Sequence, residues 1–449
     1  MSFDWATQPF YTSGLTFIFG PYFAVVAAQY FMDQGLDADA AKAQSQSLWS
    51  SGQMVAGLII AFTAPFLGAY ADNSGRKMPW IAFFSVIYVV ASVLLWNLKP
   101  DGTGLMAALV IFFIAFIAAE SALNFVNAIL PSLGTKEEIG RISGSGAAFG
   151  YWGGFVSLLI MLLLFVENTE TGLTLLGNPP PFGLDATELE GNRSIGPFIA
   201  LWFVIFMVPF FLWVRDAPKT TGKSVKLGAV ARDLGQTLRS VVKRRSLFNF
   251  LIGSMFYRDA LNALYAFGGV YAALVLDWQT QEIGVFGIIA VISAAVFTWV
   301  AGLCDTRWGP KPVIRVTVWI LIGVSITIVC MSREAFYGVP LAEDSKVPDI
   351  VFYFCGMLIG GAGGGVYSAS RSMMVRHTHP DRPTEAFGLF ALSGKATAFV
   401  APALITLFTY MTGNNQLGFV PVIFLFLIGL ILLRWVNKDG DRAEWAALQ

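Results

Sequence analysis

Gly68-Ala-Tyr-Ala-Asp72-Asn-Ser-Gly75-Arg76-Lys77 follows one apolar run, and Asp305-Thr-Arg307-Trp-Gly309-Pro-Lys311 follows another about half the chain later. The first stretch reads G-x-x-x-D-x-x-G-R-K. The second is a degenerate copy, with one extra residue between Asp305 and Gly309 and with Pro310 where the arginine would stand. A loop that recurs at matching points of two halves marks an internally repeated membrane unit, the construction in which one bundle rocks against the other. Glycine lets two helix ends approach closely, while Asp72 suits a neighbouring helix N-terminus and Arg76 a carboxylate. Gly68, Asp72, Gly75, Arg76 and Lys77 are therefore candidate gating residues, and Asp305 is a weaker one.

Composition agrees with a membrane chain. Of 449 residues, 56% are hydrophobic and 13% charged, with a mean hydropathy of +0.65. A soluble protein carries roughly 25% charged residues. Basic and acidic residues both number 29, so no net charge points to nucleic acid or an acidic partner. Cys304, Cys330 and Cys355 lie in apolar runs without metal-ligand spacing and read as buried thiols. No Lys or Arg precedes Lys42, so the first apolar run lacks the basic start of a signal peptide and reads as a retained helix.

Runs of about 20 apolar residues are long enough to cross a bilayer core of roughly 30 Å. They fall near 10–31, 47–71, 79–97, 104–128, 144–166 and 195–214, then near 247–276, 282–303, 312–331, 349–371, 386–411 and 417–436. The expected fold is all-α and integral to the membrane, with twelve transmembrane helices in two pseudo-symmetric six-helix bundles. Residues 1–214 form the first bundle, 215–246 a linker and 247–449 the second. Counted by loop, 22 basic residues fall on one side and 5 on the other. The positive-inside rule makes the richer side, with both termini, cytoplasmic. In the linker, Leu227, Val230, Leu234, Leu238 and Val241 recur at helical spacing among basic residues, which predicts an amphipathic helix on the inner membrane surface.

Ionisable residues inside spans carry the functional signal, because a charge at a helix centre costs roughly 2.5–3.5 kcal/mol on insertion scales. Glu120 lies in the fourth span, Arg258 and Asp259 in the seventh, and Lys395 in the eleventh. At 1.5 Å per residue, Glu120, Arg258 and Lys395 sit about 15–18 Å from the cytoplasmic ends of their spans. Glu120, Asn124 and Asn127 share one helical face, and Asn262 is one turn from Arg258 and Asp259. These seven are the candidate substrate-binding or coupling residues. A structural ion-pair lock is the competing reading of the same charges. Glycines cluster at Gly144, Gly146, Gly150, Gly153 and Gly154, and again from Gly356 to Gly365, where they permit close packing and weaken the helix. His377-Thr-His379 reads as two solvated loop histidines, not a metal seed. The sequence contains no catalytic, metal or phosphate-loop constellation, which argues against an enzyme and against a cofactor.

The loop Gly68–Lys77 resembles the loop between helices 2 and 3 of major facilitator superfamily transporters. Further stretches resemble the vacuole-effluxer branch, which includes the autophagy-related amino-acid exporter and bacterial homologues. They are Phe3-Asp-Trp5-Ala-Thr-Gln-Pro-Phe10, Asn124-Phe-Val-Asn127-Ala-Ile-Leu-Pro131, Gly140-Arg-Ile-Ser-Gly144, Phe256-Tyr-Arg-Asp259 and Phe387-Gly-Leu-Phe-Ala-Leu-Ser-Gly-Lys395-Ala-Thr-Ala. The resemblance implies alternating access, with helices 1, 4, 7 and 10 lining a cavity. It implies amino-acid export only weakly.

The expected function is transport of a small polar or zwitterionic solute such as an amino acid, by a monomer in a bacterial plasma membrane. Protons are a candidate coupling ion. Glu120 is the expected proton- or substrate-linked switch, with Arg258 or Lys395 as its cationic partner and Asp259 as the next candidate. Rival readings are a carrier of amphipathic drugs or lipids and a membrane receptor that moves nothing.

Overall fold

In the computed structural model, the described residues are 1–441 except 75, 169–170, 217–238, 240, 277, 279, 343–344, 380, 396, 398 and 413–415. The expected linker helix and Gly75 lie outside them. The first half comprises α1 (Ser2–Asp33), α2 (Ala38–Ser74), α3 (Met78–Leu94), α4 (Leu105–Asn127), α5 (Lys136–Ile160) and α6 (Ile195–Trp213). The second comprises α7 (Arg245–Val275), α8 (Thr280–Trp308), α9 (Pro310–Val329), α10 (Val347–His377), α11 and α12 (Val420–Leu432). The helix α11 is discontinuous, with one part at Pro383–Lys395 and another at Val400–Thr412. Among the described residues, eleven helices are long and apolar enough to cross a membrane. The remaining one, α7, has 31 residues and a length of about 46 Å. Exposed apolar side chains such as Phe62, Val86, Leu201 and Val316 give the helices greasy outer faces, as lipid contact requires.

Helices run past the ends that hydropathy suggests. The helix α10 continues from the expected 371 to His377, because no glycine or proline interrupts residues 366–377. This overturns the solvated reading of His377. It is buried and stacked on Phe250, its Nε2 is 2.8 Å from Ser246 Oγ, and its Nδ1 is 3.0 Å from the Met373 carbonyl. His379 is exposed, as expected of a loop residue.

By contact, the chain divides into two compact units. The first contains Met1–Ile60, Arg76–Val126 and Phe149–Lys219, and the second Ala61–Gly75, Asn127–Ala148 and Thr220–Gln449. In the first unit, α1 lies against the glycine face of α5. A side-chain carbon at Gly153 would come within 2.8 Å of the Trp5 carbonyl, which already accepts from Trp202 Nε1 at 3.1 Å. The turn Phe10–Phe17 of α1 is π-helical, directly after Pro9. In the loop beyond α5, Glu167 is buried beside the Gly191 and Asn192 amides, and burial raises its pKa above the usual carboxylate range.

In the second unit, Gly356, Gly360 and Gly361 seat α10 against Phe286, Ala290 and Phe297 of α8. The loop after α9 folds into a two-stranded hairpin, β1 (Ala335–Phe336) and β2 (Val339–Pro340). Beside it, Arg333 pairs with Asp349 at 2.7 Å, and Asp349 also accepts from Trp278 Nε1. At the opposite end, the last described residues form a strap. The Asn437 amide donates to Ser246 Oγ at 2.8 Å, Lys311 Nζ donates to the Val436 carbonyl at 2.6 Å, and Arg244 pairs with Asp441 at 2.9 Å. Burial raises the pKa of Asp441, with Arg244 offsetting part of that rise.

Candidate functional site

The charged loop reaches another helix as its sequence suggests. Asp72 accepts from the Thr384 amide at 3.1 Å and from the Glu385 amide at 2.8 Å. With Pro383 opening α11, these are the second and third amides of the helix, so Asp72 acts as an N-cap supplied by α2. Gly68, one turn earlier, makes this possible. A Cβ there would stand 2.5 Å from the Thr384 carbonyl, and one at Gly388 would stand 2.6 Å from the Ala64 carbonyl. The two backbones touch at this crossing. Arg76 is exposed, and no described carboxylate pairs with it. The adjoining Lys77 and Met78 amides donate to Asp216, which caps α3.

The second copy is built differently. Gly144 of α5 and Gly302 of α8 cross so closely that a Cβ on Gly144 would lie 2.5 Å from the Gly302 Cα. Asp305 packs on Gly140, past the first turn of α5, so no free helix amide is there to accept. Asp305 is 1% exposed, with Ser372 and Arg376 as its polar neighbours.

Arg371 is the residue that sequence reading missed. Counted above as a loop charge, it is 2% exposed inside α10. Its Nη2 donates to the Ser143 carbonyl at 2.7 Å, its Nε to Ser143 Oγ at 3.1 Å and its Nη1 to Asn127 Oδ1 at 3.4 Å. Its guanidinium also stacks over Tyr367, one turn back. Asn127 therefore serves this clamp. Asn124 is buried in the other unit, with its Nδ2 lacking an acceptor.

The expected intramembrane charges Glu120, Arg258 and Asp259 each meet an irregular point of another helix. Glu120 of α4 is half-buried and accepts from the Tyr11 hydroxyl at 3.3 Å, and Tyr11 lies on the π-helical turn of α1. Such turns recur at functional sites. Arg258 and Asp259, adjacent on α7, meet the two sides of the break in α11. Arg258 Nη1 donates to the Phe390 carbonyl at 3.0 Å, and its guanidinium lies 4.3 Å over the Phe390 ring. Asp259, 3% exposed, accepts from the Ala401 amide at 3.0 Å. A cation thus meets the negative end of the first part, and an anion meets the positive end of the second. Lys395, half-buried, is the last residue of the first part. Asn262 is exposed. Among the described residues, no group of three His, Cys, Asp or Glu is placed to hold a metal.

Comparison with known proteins agrees with this architecture. The profile of the family described as "Vacuole effluxer Atg22 like" matches residues 40–446. The MFS-type transporter YxiO of Bacillus subtilis (strain 168) is 24% identical over 445 residues, covering 97% of this chain and 94% of its own length. Autophagy-related protein 22-2 of Neosartorya fischeri is 23% identical over 328 residues, and the match covers 69% of this chain and 51% of the fungal protein. This chain therefore spans about half the length of that relative. Among solved structures, the proton:xylose symporter XylE aligns with a TM-score of 0.70 at 11% identity, over 99% of this chain and 96% of that one. The transporter FucP in its outward conformation aligns at 0.67, also at 11% identity, over 97% of both chains. From the repeated loop, the helices and these matches together, the chain belongs to the Atg22-like vacuole-effluxer family of major facilitator superfamily transporters.

Proposed function

We propose that this transporter moves a small polar or zwitterionic solute, with an amino acid as the foremost class, by alternating access. One observation carries the reading. The ionisable residues inside spans face irregular backbone, Glu120 a π-helical turn and Arg258 and Asp259 a helix break. Charge placed at breakable turns suits a device that binds polar cargo and then moves. Glu120 with Tyr11 suits a cationic group of the solute. Asp72, holding the first turn of α11, suits a gate that opens when that cap is released. In this reading the protein works as a monomer in a plasma membrane, with both termini in the cytoplasm. The family description, vacuole effluxer, supports export from a compartment, and the direction of transport is left to experiment.

Purified protein in proteoliposomes, preloaded with a panel of unlabelled amino acids, tests this by counterflow of each labelled counterpart. We expect exchange of at least one amino acid, reduced by about tenfold or more in Glu120→Gln. Exchange of amphipathic dyes or lipids with no amino acid exchanged would give the function to the amphipathic reading instead.

A further inference from the structure

We infer that Asp259, at the break in α11, is the binding site for a small monovalent cation, a proton or sodium, whose occupancy releases the second part of that helix. The word coupling, applied to this cation, rests on the transport reading above; the binding itself does not.

Asp259 is an incompletely bonded carboxylate. Oδ2 of Asp259 accepts from the Ala401 amide, and Oδ1, buried within α7, has no hydrogen-bond donor. A buried anion is held only when its remaining lone pairs are satisfied. The adjacent cation does not supply this. Arg258 turns toward the first part of α11, where it binds the Phe390 carbonyl and lies so close to Gly394 that any side chain there would overlap the guanidinium. Thr397, within the break, presents a second buried oxygen without a partner, while its carbonyl accepts from the Val400 amide at 2.8 Å. The break thus holds two buried oxygens without partners, one of them on a carboxylate.

That chemistry selects the ligand. A single carboxylate with neutral oxygens suits a singly charged hard cation or a proton, whereas divalent sites draw on more carboxylates. At 3% exposure, Asp259 has no room for a solute. The facing charges are few. They are Arg258 on the same helix, Lys395 at the end of the first part, and Arg371 of α10, which is taken up by Ser143 and Asn127; Val400–Thr412 carries only the exposed Tyr410, and α12 carries no ionisable group.

Binding has a mechanical consequence. The first part of α11 is fixed at both ends, by Asp72 at its start and Arg258 near its close. Asp259 is the charged hold on the start of the second part. A cation on that carboxylate cancels its attraction for the positive helix end. The second part then swings about the break while the first stays capped.

The test uses full-length protein in detergent. Its Tm is measured between about pH 5 and about pH 8, in sodium and in a bulky organic cation, for the native chain, Asp259→Asn and Glu120→Gln. We expect the native Tm to shift with pH, with sodium or with both, and the responsive factor identifies the ion. Asp259→Asn should lose most of that shift, the remainder belonging to groups such as Glu167, and Glu120→Gln should keep it in full. A native Tm that responds to neither, or an Asp259→Asn protein that responds as the native one does, overturns the inference. Should Asp259→Asn not fold, the native protein is treated with dicyclohexylcarbodiimide and digested for peptide masses. Modification at Asp259 that is suppressed by alkaline pH or by sodium supports the site, and modification absent or indifferent to both overturns it. Failure of counterflow with a retained Tm shift would remove the transport reading and leave this site standing.

Discussion

A buried arginine inside a membrane helix needs acceptors on every side. Arg371 finds them on Ser143 and Asn127 and lays its plane on Tyr367. Arg371→Ala removes the donors to the Asn127 amide oxygen and Ser143 Oγ, at a cost of about 1–3 kcal/mol. We expect a clear drop in Tm. Arg371→Lys should recover only part of it, since an ammonium cannot reproduce the planar fork. At Asp72 the expectation concerns motion. Asp72→Asn keeps one acceptor but loses the charge on a helix N-terminus, a cap whose loss typically costs about 0.5–2 kcal/mol. Asp305 caps nothing. At matched expression, Asp72→Asn should therefore lower transport much more than Asp305→Asn, and equal losses would show that the cap is not the gate. The sequence carried the Asp72 contact because motif and helix start are both local patterns. It hid Arg371 because hydropathy ends the span there, while the helix itself runs on to His377.

Among helices, close crossings set the tolerances. Gly144→Ala would press a methyl against the Gly302 Cα, whereas a side-chain carbon at Gly323 of α9 would meet nothing within 4 Å. The first substitution should lower Tm by an amount equivalent to about 1–3 kcal/mol, and Gly323→Ala should change it little. The loop between α5 and α6 offers a pH test. Burial raises the Glu167 pKa, so the folded protein holds this proton more tightly than the unfolded chain. Stability is then lost as pH rises from the usual carboxylate range through the raised value. Glu167→Gln should increase Tm at neutral pH, and the gain should vanish in acid; a constant difference would refute the assignment. The break in α11 shows what a hydropathy window overlooks. Residues 386–411 read as one apolar run, yet Gly394 followed by Pro402 spells a helix close and a new start. What keeps the ends apart is tertiary, since Arg258 and Asp259 come from α7.

For the molecule as a whole, the all-α membrane architecture was legible because bilayer thickness fixes the length of an apolar run. The contact units were not legible. Residues 61–75 and 127–148, early in the sequence, pack with α7–α12. Glycine crossings and the Asp72 and Arg371 bonds cause this, and none of them leaves a period in the sequence. Orientation is tested with single cysteines at Thr221 and Ser345 in intact cells. Only Ser345 should react with an impermeant reagent from outside, and equal labelling would overturn the topology. The strap of Val436–Asp441 bears on how the chain is made. Ser246, at the start of α7, receives the Asn437 amide from 191 residues further on. At roughly 5–20 residues per second, the ribosome needs on the order of 10–40 s to deliver that partner. Through that interval α7 has been made with its basic end untied, so the final fastening of this half waits until residues 436–441 have been added.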